Sequence, residues 1–334
     1  MLSADISMEL HLDDLPNIKE DLLTVGVIHA HDVHALCNDV AAMIFPSAIT
    51  PPTEETISAM TRKLVAVVSD IEAQLLDCDR TSELSRSWSL LAESGFLRER
   101  DLIDFMLARV AEDRLDAKLS GSAQQLPAVL LDHADPNVAE AAQALLAANS
   151  LHRNAHGFTY QALRPELLHQ LCWRLVAAME VTSGSRNTAV VANARALLAN
   201  YDEGRTAQAA ARKLVHFLDN EHRTGLLDPD NTGIHLYVAY LASVLDIDQD
   251  HVLHLIDSGS AAPLGVMLRG ADNDAEQAMA AIYRFKGFSL TPRDVGLFEQ
   301  GFERLEPEVA RSAISGWASA RAKYLMFPQG ATNA

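Results

Sequence analysis

The chain has 334 residues, of which 49% are apolar and 22% charged; that is enough to bury a sizeable core and too apolar for a disordered chain. A formal net charge of −18, with no long Lys/Arg run to reverse it locally, removes any electrostatic reason to approach nucleic acid or an anionic membrane surface. The three cysteines, Cys37, Cys78 and Cys172, are widely spaced and odd in number, which fits reduced thiols and a cytoplasmic localisation.

Residues 1–24 are polar and acidic and are expected to be a loosely ordered N-terminal segment. No basic stretch followed by an apolar run marks a signal peptide, and charges such as Arg174 interrupt every run that could span a membrane. Histidine is dense in the next stretch, VIHAHDVHALC at 27–37. On a helix His31 and His34 share a face and Cys37 continues it one turn later, so imidazole and thiolate ligands could chelate a borderline metal such as zinc. The simpler account is a polar helix face with Cys37 packed as a small apolar residue, because no HExxH or paired CxxC accompanies the three.

Thr53, followed by Glu54 and Glu55, reads as a helix start. Ile57, Met60, Leu64, Val67, Ile71 and Leu75 then alternate steps of three and four, a seam for helix–helix packing. A short helix at 87–92 ends before Gly95, and 101–119 is an amphipathic helix with Leu102, Ile103, Met106 and Val110 inward. At 126–149 the pattern is a helical hairpin. Asp135 caps its second helix, Pro136 occupies the first turn, and Val138, Ala141, Ala142, Leu145 and Leu146 share one face. So short a hairpin needs neighbours; the helix before it and the one opened by Pro165 carry suitable apolar faces.

From Pro165, the run Leu167, Leu168, Leu171, Cys172, Leu175, Val176 and Met179 makes a wide apolar stripe. The Thr-Ser-Gly-Ser segment at 182–185 is the best linker candidate. It divides the chain into a helical subdomain at 25–181, which holds the hairpin, and a second at 187–327, with a polar tail at 328–334. Helices are predicted beyond it at 187–200, 205–219, 233–245, 248–257, 261–269, 273–285, 291–303 and 307–323, and no strand pattern occurs. Helix openings at x-Pro recur, two of them close in detail (DPNVAEAA and EPEVARSA), which suggests worn helical repeats; Pro also favours helix starts in any all-α protein.

Two acidic runs imitate calcium loops and fail the chemistry. The run from Asp228 places Ala239 where a bidentate acid is required, and the run from Asp246 places His251 at the bend that needs glycine. They fit better as a turn and as a helix start capped by Asp248, with Val252, Leu255 and Ile256 inward and His251 and His254 outward as a solvated pair. Phosphate-cradling glycine motifs and a nucleophile elbow do not occur, and no spacing ties a nucleophile to a base, so no catalytic residue and no cofactor is expected. The aromatics gathered between Tyr283 and Tyr324 are expected to fill the core of a terminal helical cap; a ligand groove is the alternative.

The stretch SGFLRERDLI at 94–103, continuing as DFMLARVAEDRL, and the later PELLHQLCW at 165–173 resemble the bacterial family known as domain of unknown function 2336. That family has, in order, a long first helix, an SG-L-R-D-L turn, a DP-V-AAA-LL hairpin and an L-P-E-L-H-L-W helix; the likeness runs from about 45 to 179, and more weakly to about 327. Where the pattern often has a second aromatic after the position of Trp173, this chain has Arg174. The resemblance implies an all-α, irregular HEAT-like helical array, and brings no activity or site residues. An extended helical surface suits a protein-interaction scaffold or regulatory adaptor with an unidentified protein partner, and a homo-oligomer is compatible with the helix seam at 57–75. The alternative is a small-molecule or metal-responsive sensor, whose distinguishing feature would be a buried polar pocket between the two halves; an enzyme on a helical scaffold ranks third.

Overall fold

A computed structural model describes residues 23, 53–78, 86–119, 126–154, 158–184, 187–218, 224–258, 260–287 and 292–326. The candidate metal ligands His31, His34 and Cys37 lie outside these residues. The described residues are helical throughout, with short connecting turns and no strand: α1 (Glu54–Leu76), α2 (Arg86–Glu93), α3 (Arg100–Leu119), α4 (Leu126–Val129), α5 (Pro136–Asn154), α6 (Pro165–Ser183), α7 (Thr188–Asn200), α8 (Ala207–Phe217), α9 (Pro229–Thr232), α10 (Ile234–Leu245), α11 (Gln249–Asp257), α12 (Ala262–Gly270), α13 (Ala275–Lys286), α14 (Pro292–Arg304) and α15 (Pro307–Met326). None of them is long and apolar enough to cross a membrane.

Local chemistry places the helix ends. The Thr53 hydroxyl accepts from the backbone N–H of Thr56, and the Asp135 carboxylate accepts from Asn137 N–H at 2.8 Å, each satisfying a donor that the first turn leaves open. Asp274 and Gln277 form a reciprocal capping box at the start of α13. The acidic run at 228 is the turn expected: Asp228 caps α9, and Gly233, at φ +74°, lets the chain reverse into α10.

Two apolar cores form. The first gathers Met60, Leu64 and Ile71 of α1, Phe96, the first half of α3, Leu168, Leu171 and Cys172 of α6, and Val190 and Ala194 of α7. The second gathers the last turns of α3 through Leu115 and Leu119, the hairpin residues Val138, Ala141, Ala142 and Leu145, and the helices from α8 to α15. These cores interleave along the sequence instead of parting at 182–185. Helix α7 lies beyond that turn yet packs on α1, while α5 lies before it yet packs on α8. Of the hairpin's two expected neighbours, the helix from Asp101 shares its core through Leu115 and Leu119, while the Pro165 helix sits in the other core, and the hairpin packs chiefly on α8. At the turn itself, Gly184 ends α6 in the left-handed conformation, an ordinary C-cap.

Helix α3 belongs to both cores and touches α1, α10, α11 and α13. From Leu102 to Glu112 the helix expected to be amphipathic is instead buried around its circumference, Asp104, Arg109 and Glu112 included; its last turns keep Asp113, Ala117 and Lys118 exposed. The C-terminal aromatics Phe285, Phe298, Phe302 and Trp317 are buried, as expected of core, while Tyr283 is exposed.

Candidate functional site

The charges on α3 organise the interior. Asp104, Arg109 and Glu112 are 0%, 1% and 2% exposed, so each must find its partners inside the protein or cost several kcal/mol, on the order of a buried unpaired ion. Arg109 donates through Nη1 to Glu112 Oε2 at 2.8 Å and through Nη2 to Asp250 Oδ1 of α11. Glu112 Oε1 also accepts from Gln208 Nε2 at 2.7 Å, and His235 Nε2 of α10 lies 2.8 Å away. One side of Asp104 receives Arg321 of α15, and His254 Nε2 of α11 stands 3.3 Å from its other oxygen. Arg164, at the start of α6, holds Asp101 at 3.0 Å and approaches Asp250 Oδ2 at 3.8 Å. Asp104, Glu112 and Asp250 are therefore opposed by Arg109, Arg321 and, at the margin, Arg164: three carboxylates against three guanidiniums.

The pairing sets the protonation states. Burial opposes the charge on Asp104, yet His254 and Arg321 more than offset it and hold its carboxyl well below the usual range. Burial likewise opposes the charge on Arg109, and Glu112 and Asp250 outweigh it, so the guanidinium is held more firmly protonated than usual. Asp250 goes the other way: burial pushes its carboxyl up, with Arg109 opposing. His251 and His254, expected to point outward as a solvated pair, are 3% and 6% exposed. The correction has a tertiary cause. Helix α11 packs along α3, so the face that carries His254 is turned onto Asp104.

Beside this spine a cleft of about 370 Å³ opens at the junction of the two cores, lined by Phe105 and Arg109 of α3, the segments leading into α6 and α8, and the corner between α10 and α11. Each wall has a local reason to stand where it does. The guanidinium carbons of Arg109 and Arg164 both lie 5.2 Å from the centre of the Phe105 ring, a stacking that fixes the floor. Asp246, at φ +53°, closes α10 and turns the chain; Asp248 then caps α11 by accepting from Asp250 N–H at 2.7 Å. The acidic corner is thus the product of a helix stop followed by a helix start. On the opposite segments Arg212 reaches Glu203 at 3.3 Å.

No family model matches the chain, and no curated protein or solved structure matches it. The site must be judged on its own geometry. A volume of about 370 Å³ lies within the roughly 300–1,000 Å³ of small-molecule pockets. Among the described residues no group of three or more His, Cys, Asp or Glu side chains is placed to hold a metal ion. In the interior, carboxylates are already bonded to guanidiniums, an arrangement that fixes helices in register and leaves the mouth of the cleft as the place where new partners can bind. Of the cleft residues, the sequence pointed to Asp246, Asp248 and Asp250 only as a helix start. Arg109, Arg164 and Arg212 gave no signal beyond being charges in or beside strongly apolar helices; the one legible clue was that Asp104 and Arg109 interrupt the apolar run of α3 from within.

Proposed function

We propose that this protein is a non-catalytic regulatory binding protein, an all-α array of HEAT type in which a small polar molecule entering the cleft is the signal. The observation that carries this reading is the position of the cleft: its lining comes from both cores, so an occupant would touch residues whose helices belong to each. A polar pocket is what would distinguish a sensor from a plain scaffold, and this cleft lies between the two cores, not between the two sequence halves on either side of 182–185. The order of a long first helix, a Gly95 turn at φ +79°, an Asp-Pro hairpin and the Pro165 helix supports kinship with the domain of unknown function 2336. Cys78 and Cys172, which form no disulfide among the described residues, support a cytoplasmic setting.

A thermal-shift screen against metabolites and metal salts tests the sensor reading. The expected result is a ligand-specific rise in melting temperature that disappears in Ser243→Trp, which fills the cleft from an exposed position on α10. A full screen without a rise, or a rise that survives Ser243→Trp, refutes it. A scaffold or adaptor role is supported by a separate observation: Val129 and Leu131, two residues apart on the hairpin, are 67% and 42% exposed. Loss of a captured partner from Val129→Asp/Leu131→Asp with unchanged melting would favour that role; capture unaffected by the pair would exclude this face.

A further inference from the structure

The charges around the cleft are not equally committed. Arg109 and Asp250 are spent on each other and on Glu112. What remains for a ligand lies nearer the mouth. On the segments before α6 and within α8 stand Arg164, with a side chain one-third exposed and paired with Asp101 at 3.0 Å, and Arg212, 66% exposed and paired among the described residues with Glu203 at 3.3 Å. An exposed pair of that kind contributes little and is screened by salt, so a competing carboxylate can take Arg212 from it. The corner between α10 and α11 offers the opposite sign. Asp246 is exposed and forms no ion pair among the described residues, and Asp248 is half-exposed, with its nearest cation, Arg321, at 3.9 Å. The rest of the lining mixes small apolar residues such as Ala162 and Ala239 with the polar Thr206, Gln208, Ser243 and Gln249.

Such a cleft selects by charge. A dianion reaching the arginines would bring negative charge against Asp246 and Asp248, and a cation bound at the corner would make no use of Arg164 and Arg212, which would stay paired with Asp101 and Glu203. A molecule with a carboxylate at one end and an ammonium at the other answers both sides. Building on the cleft's proposed role as a ligand site, we infer that its ligand is a small zwitterion of amino-acid to dipeptide size, the carboxylate received by Arg164 and Arg212 and the ammonium by Asp246 and Asp248.

The test is isothermal titration calorimetry at pH 7 on the full chain with three matched probes: glycyl-L-leucine, N-acetylglycyl-L-leucine, which lacks the ammonium, and glycyl-L-leucinamide, which lacks the carboxylate. Glycyl-L-leucine should bind, and each blocked form should bind about tenfold more weakly or worse, the loss of roughly one ion pair. Asp246→Asn and Arg212→Gln should each weaken glycyl-L-leucine about tenfold with unchanged melting. Both positions are exposed, and asparagine tolerates the positive φ of Asp246. Equal affinity for the three probes, or glycyl-L-leucine binding unmoved by both variants, overturns the zwitterion assignment. Absence of glycyl-L-leucine binding overturns it too, while the metabolite screen with Ser243→Trp separately decides whether the cleft takes any ligand.

Discussion

Replacing Arg109 by methionine probes the spine most directly. The guanidinium is 1% exposed and donates to both Glu112 and Asp250, so its loss leaves two enclosed carboxylates, Glu112 with Gln208 and His235 and Asp250 with Arg164 at 3.8 Å as the remaining neighbours. Breaking a buried pair by removing one partner costs ~3–5 kcal/mol, and methionine occupies most of the vacated volume, so the cost is electrostatic and not that of a cavity. The penalty must depend on pH. Burial already pushes the Asp250 carboxyl up against the pull of Arg109; without that cation it rises further above its unfolded value, so the folded variant binds a proton more readily than the unfolded chain. In acid, with both forms protonated, the penalty is small; it grows as pH rises through the ordinary carboxylate range of about 4 and beyond. Urea unfolding followed by helical circular dichroism at pH 5 and pH 8 should show the gap between Arg109→Met and the parent widening at the higher pH. A loss below about 1 kcal/mol, or one independent of pH, would mean that the carboxylates find other compensation and that the spine is not the structural element described.

Four further outcomes follow from the same structure. Asp104→Asn should lose ~3–5 kcal/mol near neutrality; because the folded carboxyl is depressed, with His254 and Arg321 outweighing burial, its contribution is complete above about pH 5 and falls away below about pH 4, so unfolding curves of parent and variant should converge there. Gly265→Ala should destabilise by about 1–3 kcal/mol in a thermal melt, although alanine normally favours helix, because a Cβ there would stand 2.7 Å from Phe298 Cζ in the core of α12 and α14; a stabilised variant would show that Phe298 yields freely. Val138→Asp, at a position 1% exposed, should remove about 4 kcal/mol or more and yield protein without a cooperative melt; a soluble variant that melts normally would place the core elsewhere. Burial pushes the Cys172 thiol up to about 11, so alkylation at pH 8 with peptide mapping should label exposed Cys78 quickly and Cys172 only after denaturation.

Much of the secondary structure was written locally. Apart from the four-residue α9, expected as a turn, the helices from α7 to α15 begin and end within a few residues of their expected limits, because caps such as Asn187, Asp248 and Asp274 act on donors two or three residues away, and proline at an opening acts on its own turn. The inward faces of α1 and α5 were legible for the same reason: Met60, Leu64, Val67 and Ile71, and Val138, Ala141 and Leu145, repeat at the helical period and are buried.

Where those faces go was not written locally. Periodicity reports that a stripe must be covered and is silent about its cover, so the hairpin's partner proved to be α8, and α7 returned across the expected linker to α1. Charge is the sharper case. A single helix has no means of stating that Asp104 is inside, since an aspartate in water and one locked between His254 and Arg321 have the same local sequence; the difference lies in partners 150 and 217 positions away. His254 was expected in solvent because Val252, Leu255 and Ile256 were assigned the inward face, and α11 lying along α3 reversed it. The sequence by itself determined that this is an acidic, all-helical protein with strong caps and apolar seams. Only the tertiary structure decided that one helix would be enclosed, that its charges would be neutralised across the fold, and that a charged cleft would open where the two cores meet.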